Sequence, residues 1–240
     1  TCVGNDNDLR EVSMGENGLY NTAKKGSVYI DNSTVSAEIC RELYKTAKDK
    51  NFDFLDAPIS GGQPGAESGK LTVMVGGDEK IFSKAKPIID CYSQKVNLIG
   101  PSGSGQLTKM MNQMCIAGAV QGLSEAINFG INAGLDMDKV MDTISKGAAQ
   151  SWQMENRYRS MTDNKFDFGF AVDRMRKDLA IVMEEAKRNG SPIPVTGNNE
   201  PLFLASSIAI LRSFLIQSTA KPKSNLSSII VLYLFSICQD

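Results

Sequence analysis

The sequence contains no histidine among its 240 residues. This absence excludes Ser-His-Asp triads, Cys-His pairs, HExxH metal sites and any histidine general base. A proton transferred in catalysis therefore has to move through Lys, Asp, Glu, Tyr or Cys.

Cysteine and net charge are also scarce. Five widely spaced cysteines form no CxxC pair, so we expect reduced packing cysteines in a cytoplasmic protein, with no disulfide and no metal site. They are Cys2, Cys40, Cys91, Cys115 and Cys238. The net charge of −1, with both signs interspersed, leaves no basic field for nucleic acid or for an anionic membrane, and we expect neither as a partner.

The first residues lack an initiating methionine, and the apolar runs near the other end lack the length of a membrane span. Residues 1–10 are polar and begin without methionine, so we expect that an upstream segment has been lost. Near the other end, apolar runs at 202–216 and 229–237 are shorter than the roughly 18–20 residues of a membrane span. We expect this tail to be poorly packed.

Short apolar runs alternate with amphipathic stretches up to residue 99, which predicts an α/β domain. The predicted strands are 27–31, 53–58, 71–75 and 95–99, and the predicted helices between them are 36–50 and 78–89. After a turn at 100–103 the strand signals stop. The predicted helices there are 106–133, 136–146, 151–161 and 172–189.

A glycine-rich turn follows the second predicted strand. Ser60, Gly61 and Gly62 can direct backbone N–H groups to one point, a nest that suits a carboxylate. For the Ser-Gly-Gly triplet alone, a flexible strand-to-loop turn is the commoner explanation. The whole string Asp56-Ala-Pro-Ile-Ser-Gly-Gly62, followed by further glycines, favours the nest.

Polar groups on one face of the long predicted helix form a second constellation. Lys109, Asn112 and Gln113 share that face of an otherwise apolar helix. Burial lowers the pKa of a lysine toward neutrality, as a general acid/base requires, whereas a lysine reaching back to solvent would be ordinary. The preceding glycines do not form a dinucleotide fingerprint, because Thr108 stands where GxGxxG requires glycine.

A third group lies near the end of the helical region. Phe170 is followed by Lys177, Asp178 and Leu179 on a predicted helix, which by itself indicates a solvated charged face. The single tryptophan, Trp152, is predicted to lie in the core.

Taken together, these motifs resemble the β-hydroxyacid dehydrogenases, which include 3-hydroxyisobutyrate dehydrogenase, tartronate semialdehyde reductase and the glyoxylate/succinic semialdehyde reductases. The resemblance covers residues 1–196 and rests on Asp31-Asn-Ser-Thr34, the 56–62 string, Gly-x-Gly-x-x-x-Lys109-x-x-Asn112 and Lys177-Asp178-Leu179. It implies an α/β fold class, with a partial Rossmann-type sheet domain joined by a long interdomain helix to an all-helical domain. The implied division is 1–102, 103–196 and an atypical tail at 197–240.

The resemblance also assigns roles to residues. Lys109 would be the catalytic acid/base, and Asn112 and Gln113 would orient the substrate, although Gln113 stands where the family commonly has Asn. The remaining assignments concern binding: Ser60, Gly61 and Gly62 to the substrate carboxylate, Phe170 and Asp178 to the closed site, and Val3, Gly4, Asp8, Thr34 and Lys177 to NAD or NADP.

Two departures from the family qualify these expectations. The glycine-rich phosphate loop and the residue that selects NAD or NADP would precede Thr1, so we expect this chain alone to bind cofactor poorly. Residues 197–240 match none of the usual C-terminal helices. The complete protein is expected to be a homodimer or homotetramer.

Three functions remain open at this point. The first is reversible hydride transfer between NAD(P) and a small 3-hydroxy acid such as 3-hydroxyisobutyrate. The second is NAD(P)H-dependent reduction of tartronate, succinic or glyoxylic semialdehydes, which uses the same motifs. The third is an inactive binding or oligomerisation module, which Lys109 argues against because such a module has no need of that side chain.

Overall fold

The computed structural model describes residues 1–163, 165 and 169–198. The chain divides into two compact units, Thr1–Asn112 and Gln113–Asp240, and each is described by itself below. The division between the units falls after Asn112, within a helix that begins at Ser104. The predicted domain boundary at residue 102 lies just before that helix and stays a prediction. The predicted tail lies outside the described residues beyond Asn198.

A five-stranded mixed sheet forms the centre of the first unit, which we call the sheet unit. Its spatial order is β1-β2-β4-β3, and β5 also pairs with β4. Strands β1 and β2 are parallel, as are β4 and β5, whereas β3 runs antiparallel to β4. The strands are β1 (Val28–Asp31), β2 (Asp53–Asp56), β3 (Ile59–Ser60), β4 (Leu71–Gly76) and β5 (Ser93–Gly100).

Helices pack around this sheet and bury two apolar clusters. Leu9, Leu43 and Phe54 belong to one cluster, and Leu55, Val75 and Ile89 belong to the other, all of them at most 1% exposed. The helices are α1 (Asp6–Met14), α2 (Ala37–Asp49), α3 (Gly62–Glu67) and α4 (Glu79–Ile89), with a short 3-10 helix at Leu19–Asn21. Ser36 begins α2 by accepting a hydrogen bond from the Ile39 N–H at 3.1 Å.

The described part of the second unit, the helical unit, contains helices and no strand. Helix α5 (Ser104–Asn132) enters it from the sheet unit, and α6 (Met137–Ile144), α7 (Trp152–Thr162) and α8 (Val172–Asn189) follow. Two buried apolar clusters lie in this unit. One includes Leu123, Ile127 and Met161, and the other includes Val172 and Leu179. Among the described helices, α5 alone is long and apolar enough to cross a membrane, a test that core helices of soluble proteins also pass.

The predicted fold class is confirmed, because a parallel-rich α/β sheet region is followed by a region whose described elements are all helices. Helices α1 and α3 and strand β3 were not predicted. Two expectations are wrong. Trp152 is 58% exposed rather than in the core. Cys2, Cys91 and Cys115 are exposed rather than packed, and Cys40 is the one buried cysteine in the described part of the chain.

Candidate active site

The loop after β1 lies beside the first residues of the chain. The Asn32 N–H donates to the Thr1 carbonyl at 2.8 Å, and the Val3 N–H donates to Ser33 Oγ at 2.8 Å. Because β1 and β2 are parallel, this loop lies at the edge where their carboxyl ends meet, which is where α/β sheets bind ligands. Half-buried Thr34 and Val3, both predicted cofactor contacts, lie on these two segments.

Gly4 and Asp8, the other two predicted cofactor contacts in this unit, lie at the start of α1. Asn5 caps the helix by accepting from the Asp8 N–H at 3.0 Å and also donates to the Asp8 carboxylate at 2.9 Å. A Cβ at Gly4 would lie 2.7 Å from Asp8 Oδ2, so the backbone passes close to that carboxylate.

The predicted carboxylate nest lies where β3 passes into α3. Gly61 has a φ of 135° and Gly62 a φ of 60°, both in the left-handed region that favours glycine. The backbone therefore turns sharply directly after half-buried Ser60, at the start of a helix whose first N–H groups have no intrahelical acceptor. Both glycines are exposed, so a ligand can reach this turn.

Asp56, at the end of β2, anchors the start of α5. Its carboxylate accepts from the Gly103 N–H at 2.8 Å and from the Gln106 N–H at 3.2 Å, so it satisfies two amides at the helix start. The side chain is fully buried, and burial raises the pKa of Asp56, while the two backbone N–H groups oppose that rise. Asp56 thus joins the strand that leads to the nest with the helix that carries Lys109.

Lys109 and Asn112 lie on α5 within the sheet unit. Lys109 is only 6% exposed, which contradicts the alternative that it reaches back to solvent. Asn112, one turn further along, is half buried. Met111, on another face of the helix, is 66% exposed, so the burial of Lys109 belongs to its own face.

Three of the predicted site residues meet inside the helical unit. Gln113 Nε2 donates to Asp178 Oδ2 at 2.6 Å, and Lys177 Nζ lies 2.9 Å from Asp178 Oδ1. Asp178 is 1% exposed, and the Lys177 side chain is 27% exposed, so the solvated charged face is wrong for this pair. Phe170 is exposed in the same unit. That these residues line one site with Lys109 stays a prediction.

Other chemistries find little support in the described residues. Burial raises the pKa of the Cys40 thiol well above its usual range, so that thiol stays protonated and unreactive. Residues 1–163, 165 and 169–198 contain no group of three or more His, Cys, Asp or Glu side chains suited to a metal ion.

Sequence reasoning missed two residues of this region, Asp56 and Gln106. Asp56 was recognised only as the first letter of the glycine-rich string, and Gln106 only as part of the run before Lys109. Both are fully buried and bond to backbone groups distant in sequence. A polar residue inside an apolar helix or at a strand end was the available signal.

Two family models match the chain. Residues 1–100 match the NAD binding domain of 6-phosphogluconate dehydrogenase. Residues 103–212 match the model described as NAD-binding of NADP-dependent 3-hydroxyisobutyrate dehydrogenase.

Individual relatives agree with these matches. An uncharacterized oxidoreductase of Shewanella frigidimarina is 57% identical over 195 residues, which are 81% of this chain and 67% of the relative. The 2-hydroxy-3-oxopropionate reductase of Escherichia coli is 34% identical, with 81% of this chain and 67% of the relative covered. The crystal structure of 3-hydroxyisobutyrate dehydrogenase from Salmonella typhimurium has a TM-score of 0.78 at 30% identity, covering 95% of this chain and 76% of that one. The chain therefore spans about two thirds of its sequence relatives' length.

Proposed function

The chain belongs to the β-hydroxyacid dehydrogenase family, and from this premise we propose that it interconverts a small 3-hydroxy acid, such as 3-hydroxyisobutyrate, and its carbonyl form, with Lys109 as general acid/base. Dependence on NAD or NADP and activity on hydroxy acids are the properties that its family models and named relatives share. The substrate and the role of each residue are the proposal.

Burial of Lys109 is the observation that carries the proposal. An ammonium group kept out of water costs several kcal/mol unless its charge is compensated or used, so a fold has little reason to retain it for packing. The first turn of the helix that carries it is fixed by Asp56. A proton donor held on a rigid element meets a basic requirement of acid/base catalysis, which is a constant position relative to the reacting oxygen.

The substrate carboxylate would bind at Ser60, Gly61 and Gly62. The two positive-φ glycines turn their peptide planes at the start of α3, which provides backbone donors suited to an anion. Asn112, one turn of α5 after Lys109, would then bind the substrate hydroxyl. Gln113 would help to orient the substrate. We carry over Phe170 and Asp178 as groups that close the site.

Cofactor binding would involve the loop after β1. The Thr34 hydroxyl and the backbone of this loop and of Gly4 would supply polar contacts near the carboxyl end of a parallel strand pair, and such groups fit part of a dinucleotide. Val3, Asp8 and Lys177 are carried over as further contacts. Bound NAD(P) supplies the acceptor or donor of a hydride.

Lys109 would move one proton in each direction of the reaction. In oxidation, the neutral amine at Nζ takes the hydroxyl proton. At the same time the hydrogen of the substrate C–H bond leaves with the bonding electron pair as a hydride, and a carbonyl remains. In reduction, the ammonium returns that proton to the oxygen as the new C–H bond forms. The ammonium also stabilises negative charge that develops on the oxygen.

A second candidate is reduction of a semialdehyde-type substrate, of which tartronate semialdehyde, succinic semialdehyde and glyoxylate are examples. It is favoured by the 34% identity with a 2-hydroxy-3-oxopropionate reductase. Assembly as a homodimer or homotetramer in the cytoplasm belongs to the same proposal, and light scattering of the full-length protein would measure its oligomer size.

The test is a nicotinamide-absorbance assay of the full-length protein that contains this chain. A panel of short 3-hydroxy acids and semialdehydes is offered with NAD and with NADP, and the methyl esters of the same acids serve as matched controls. We expect turnover of an acid and loss of most of that turnover with its ester, because the nest recognises a carboxylate. No turnover of any acid or semialdehyde would overturn the proposed function.

A further inference from the structure

Gln106 makes an unusual pair of contacts for a residue in the first turn of a long apolar helix. Its side chain is fully buried, Nε2 donates to the Ser33 carbonyl at 2.8 Å, and Oε1 accepts from the Val35 N–H at 3.2 Å. These two backbone groups flank Thr34. A single amide side chain of α5 therefore clamps the loop after β1 on both sides of Thr34.

The turn that carries Gln106 is itself fixed. The Gln106 backbone N–H donates to Asp56 Oδ2 at 3.2 Å, and the Gly103 N–H donates to Asp56 Oδ1 at 2.8 Å. Its main chain is therefore held by the end of β2, while its side chain reaches the loop after β1. The two contacts leave this turn little freedom to slide against either strand end.

Lys109 follows Gln106 by three positions, so both side chains lie on the same side of α5 about one turn apart. An α-helix transmits position rigidly over one turn, because each residue is fixed by backbone hydrogen bonds. Any shift of the Thr34 loop relative to Gln106 is therefore also a shift relative to Lys109.

We propose that Gln106 is a positioning residue that holds the Thr34 loop in register with Lys109, and so sets the distance between the bound cofactor and the proton donor. This inference rests on the proposed function, which assigns Thr34 to the cofactor and Lys109 to proton transfer. Gln106 itself touches neither reactant in this scheme.

The geometry predicts a specific kinetic defect. Without the clamp, the substrate still binds at the nest and the cofactor still binds through its other contacts. The two are then held less often in a reactive arrangement with Lys109. Displacements of about 1 Å at a reacting centre lower rates by up to roughly a hundredfold. The loss therefore falls on kcat rather than on KM.

The test compares Gln106→Met with Gln121→Met in the full-length protein. Methionine keeps the length of glutamine and removes the amide. Gln121 lies on the same helix and is also buried, but its side chain donates to Glu125 at 2.8 Å and not to a strand loop. Gln106→Asn is the second variant, because it keeps the amide but withdraws it by one methylene, so it remains informative if Gln106→Met does not fold.

Hydrogen exchange of the cofactor-free protein gives the first readout. Loss of one intramolecular hydrogen bond corresponds to about threefold to tenfold faster exchange of a locally opening amide. We expect this acceleration in peptides covering residues 32–36 for both Gln106 variants. The same peptides should exchange at the wild-type rate in Gln121→Met. Unchanged exchange in the Gln106 variants would overturn the clamp.

Steady-state kinetics give the second readout. We expect kcat of the Gln106 variants to fall about tenfold or more, KM for substrate to stay within about twofold, and the primary deuterium isotope effect on kcat to rise as hydride transfer becomes limiting. Faster exchange with unchanged kcat and isotope effect would overturn the positioning role. An inactive wild type would overturn the proposed function and this catalytic role together, while exchange would still decide whether Gln106 clamps the loop.

Discussion

Two buried polar clusters, one around Asp56 in the sheet unit and one around Asp178 in the helical unit, are held in different ways. In the sheet unit, Asp56 and Gln106 bond to backbone groups, whose positions are set by the fold. In the helical unit, Asp178 meets the side chains of Gln113 and Lys177. Backbone partners cannot turn away when one member is replaced, whereas side-chain partners can adopt other rotamers.

Close approach of backbone strengthens this contrast. A Cβ at Gly76 would lie 2.6 Å from both carboxylate oxygens of Asp56, and a Cβ at Gly105 would overlap the Met74 carbonyl and lie 2.8 Å from the Asp56 carbonyl. The Asp56 anchor is therefore enclosed by positions that tolerate no side chain. We infer that the Asp56 cluster supplies fixed geometry, and that the Asp178 cluster contains groups that can adjust.

The largest expected effect separates the two lysines. Lys109→Ala should lower kcat of the full-length protein by about a hundredfold or more, because it removes the proposed proton donor. Lys177→Ala should raise KM for NAD(P) by about tenfold at most and spare kcat, because the proposed function gives Lys177 a contact with the cofactor and no part in proton transfer. Initial-rate kinetics measure both, and equal losses of kcat would break the contrast.

The next effect concerns the cradle of the anchor. Gly105→Ala should lower the free energy of unfolding by about 2–3 kcal/mol, because its Cβ meets backbone that cannot yield. Gly122→Ala is the matched control on the same helix. A Cβ there meets nothing within 4 Å, so it should raise stability by about 0.5–1 kcal/mol. Urea unfolding monitored by circular dichroism tests both, and similar midpoints for the two variants would contradict the cradle.

Matched Asp→Asn changes should differ by a smaller amount. Asp56→Asn should lower the free energy of unfolding by about 2 kcal/mol, because each carboxylate oxygen accepts from a different backbone N–H and asparagine replaces one of these oxygens with an NH2 group that cannot accept. Asp178→Asn should lower it by about 1 kcal/mol or less, since Gln113 can still donate and Lys177 can turn toward solvent. An equal or larger loss for Asp178→Asn would reverse the comparison.

The smallest effect is a pH dependence of stability. Burial raises the pKa of Asp56, so between its unfolded and folded pKa the folded state binds the extra proton. Stability from this group therefore increases as the pH falls through the folded pKa, and the increase ends below the unfolded one. Urea unfolding across the acidic range should show a larger stabilisation on acidification in the wild type than in Asp56→Asn. An equal pH slope in both proteins would contradict the direction.

Elements with strong local signals were predictable from sequence. Ser36, Asp136 and Ser151 stand at the starts of predicted helices, and each accepts a hydrogen bond from an N–H three residues on. Apolar period and caps are properties of neighbouring residues, so no tertiary information was needed. Helix α1 escaped because its surface is mostly polar, and α3 because it is short and contains Gly and Pro.

The site was predictable in its motifs but not in its supports. Lys109 and the Gly61-Gly62 turn stand out by residue type, whereas Asp56 and Gln106 act through partners 47 to 73 positions away. No local pattern encodes such a pairing. The prediction that Trp152 lies in the core was wrong for a related reason, because residue type alone does not say which face of α7 is covered.

Chemical rescue of Lys109→Ala is the most direct test of the central claim, that Lys109 transfers the proton. Small primary amines are added to the variant at fixed pH, and turnover is followed by nicotinamide absorbance, with Lys109→Arg as the comparison because a guanidinium cannot release its proton near neutral pH. The account predicts turnover of Lys109→Ala that rises with the concentration of amine, and no such rise for Lys109→Arg. Near-normal kcat of Lys109→Ala without any amine would contradict it.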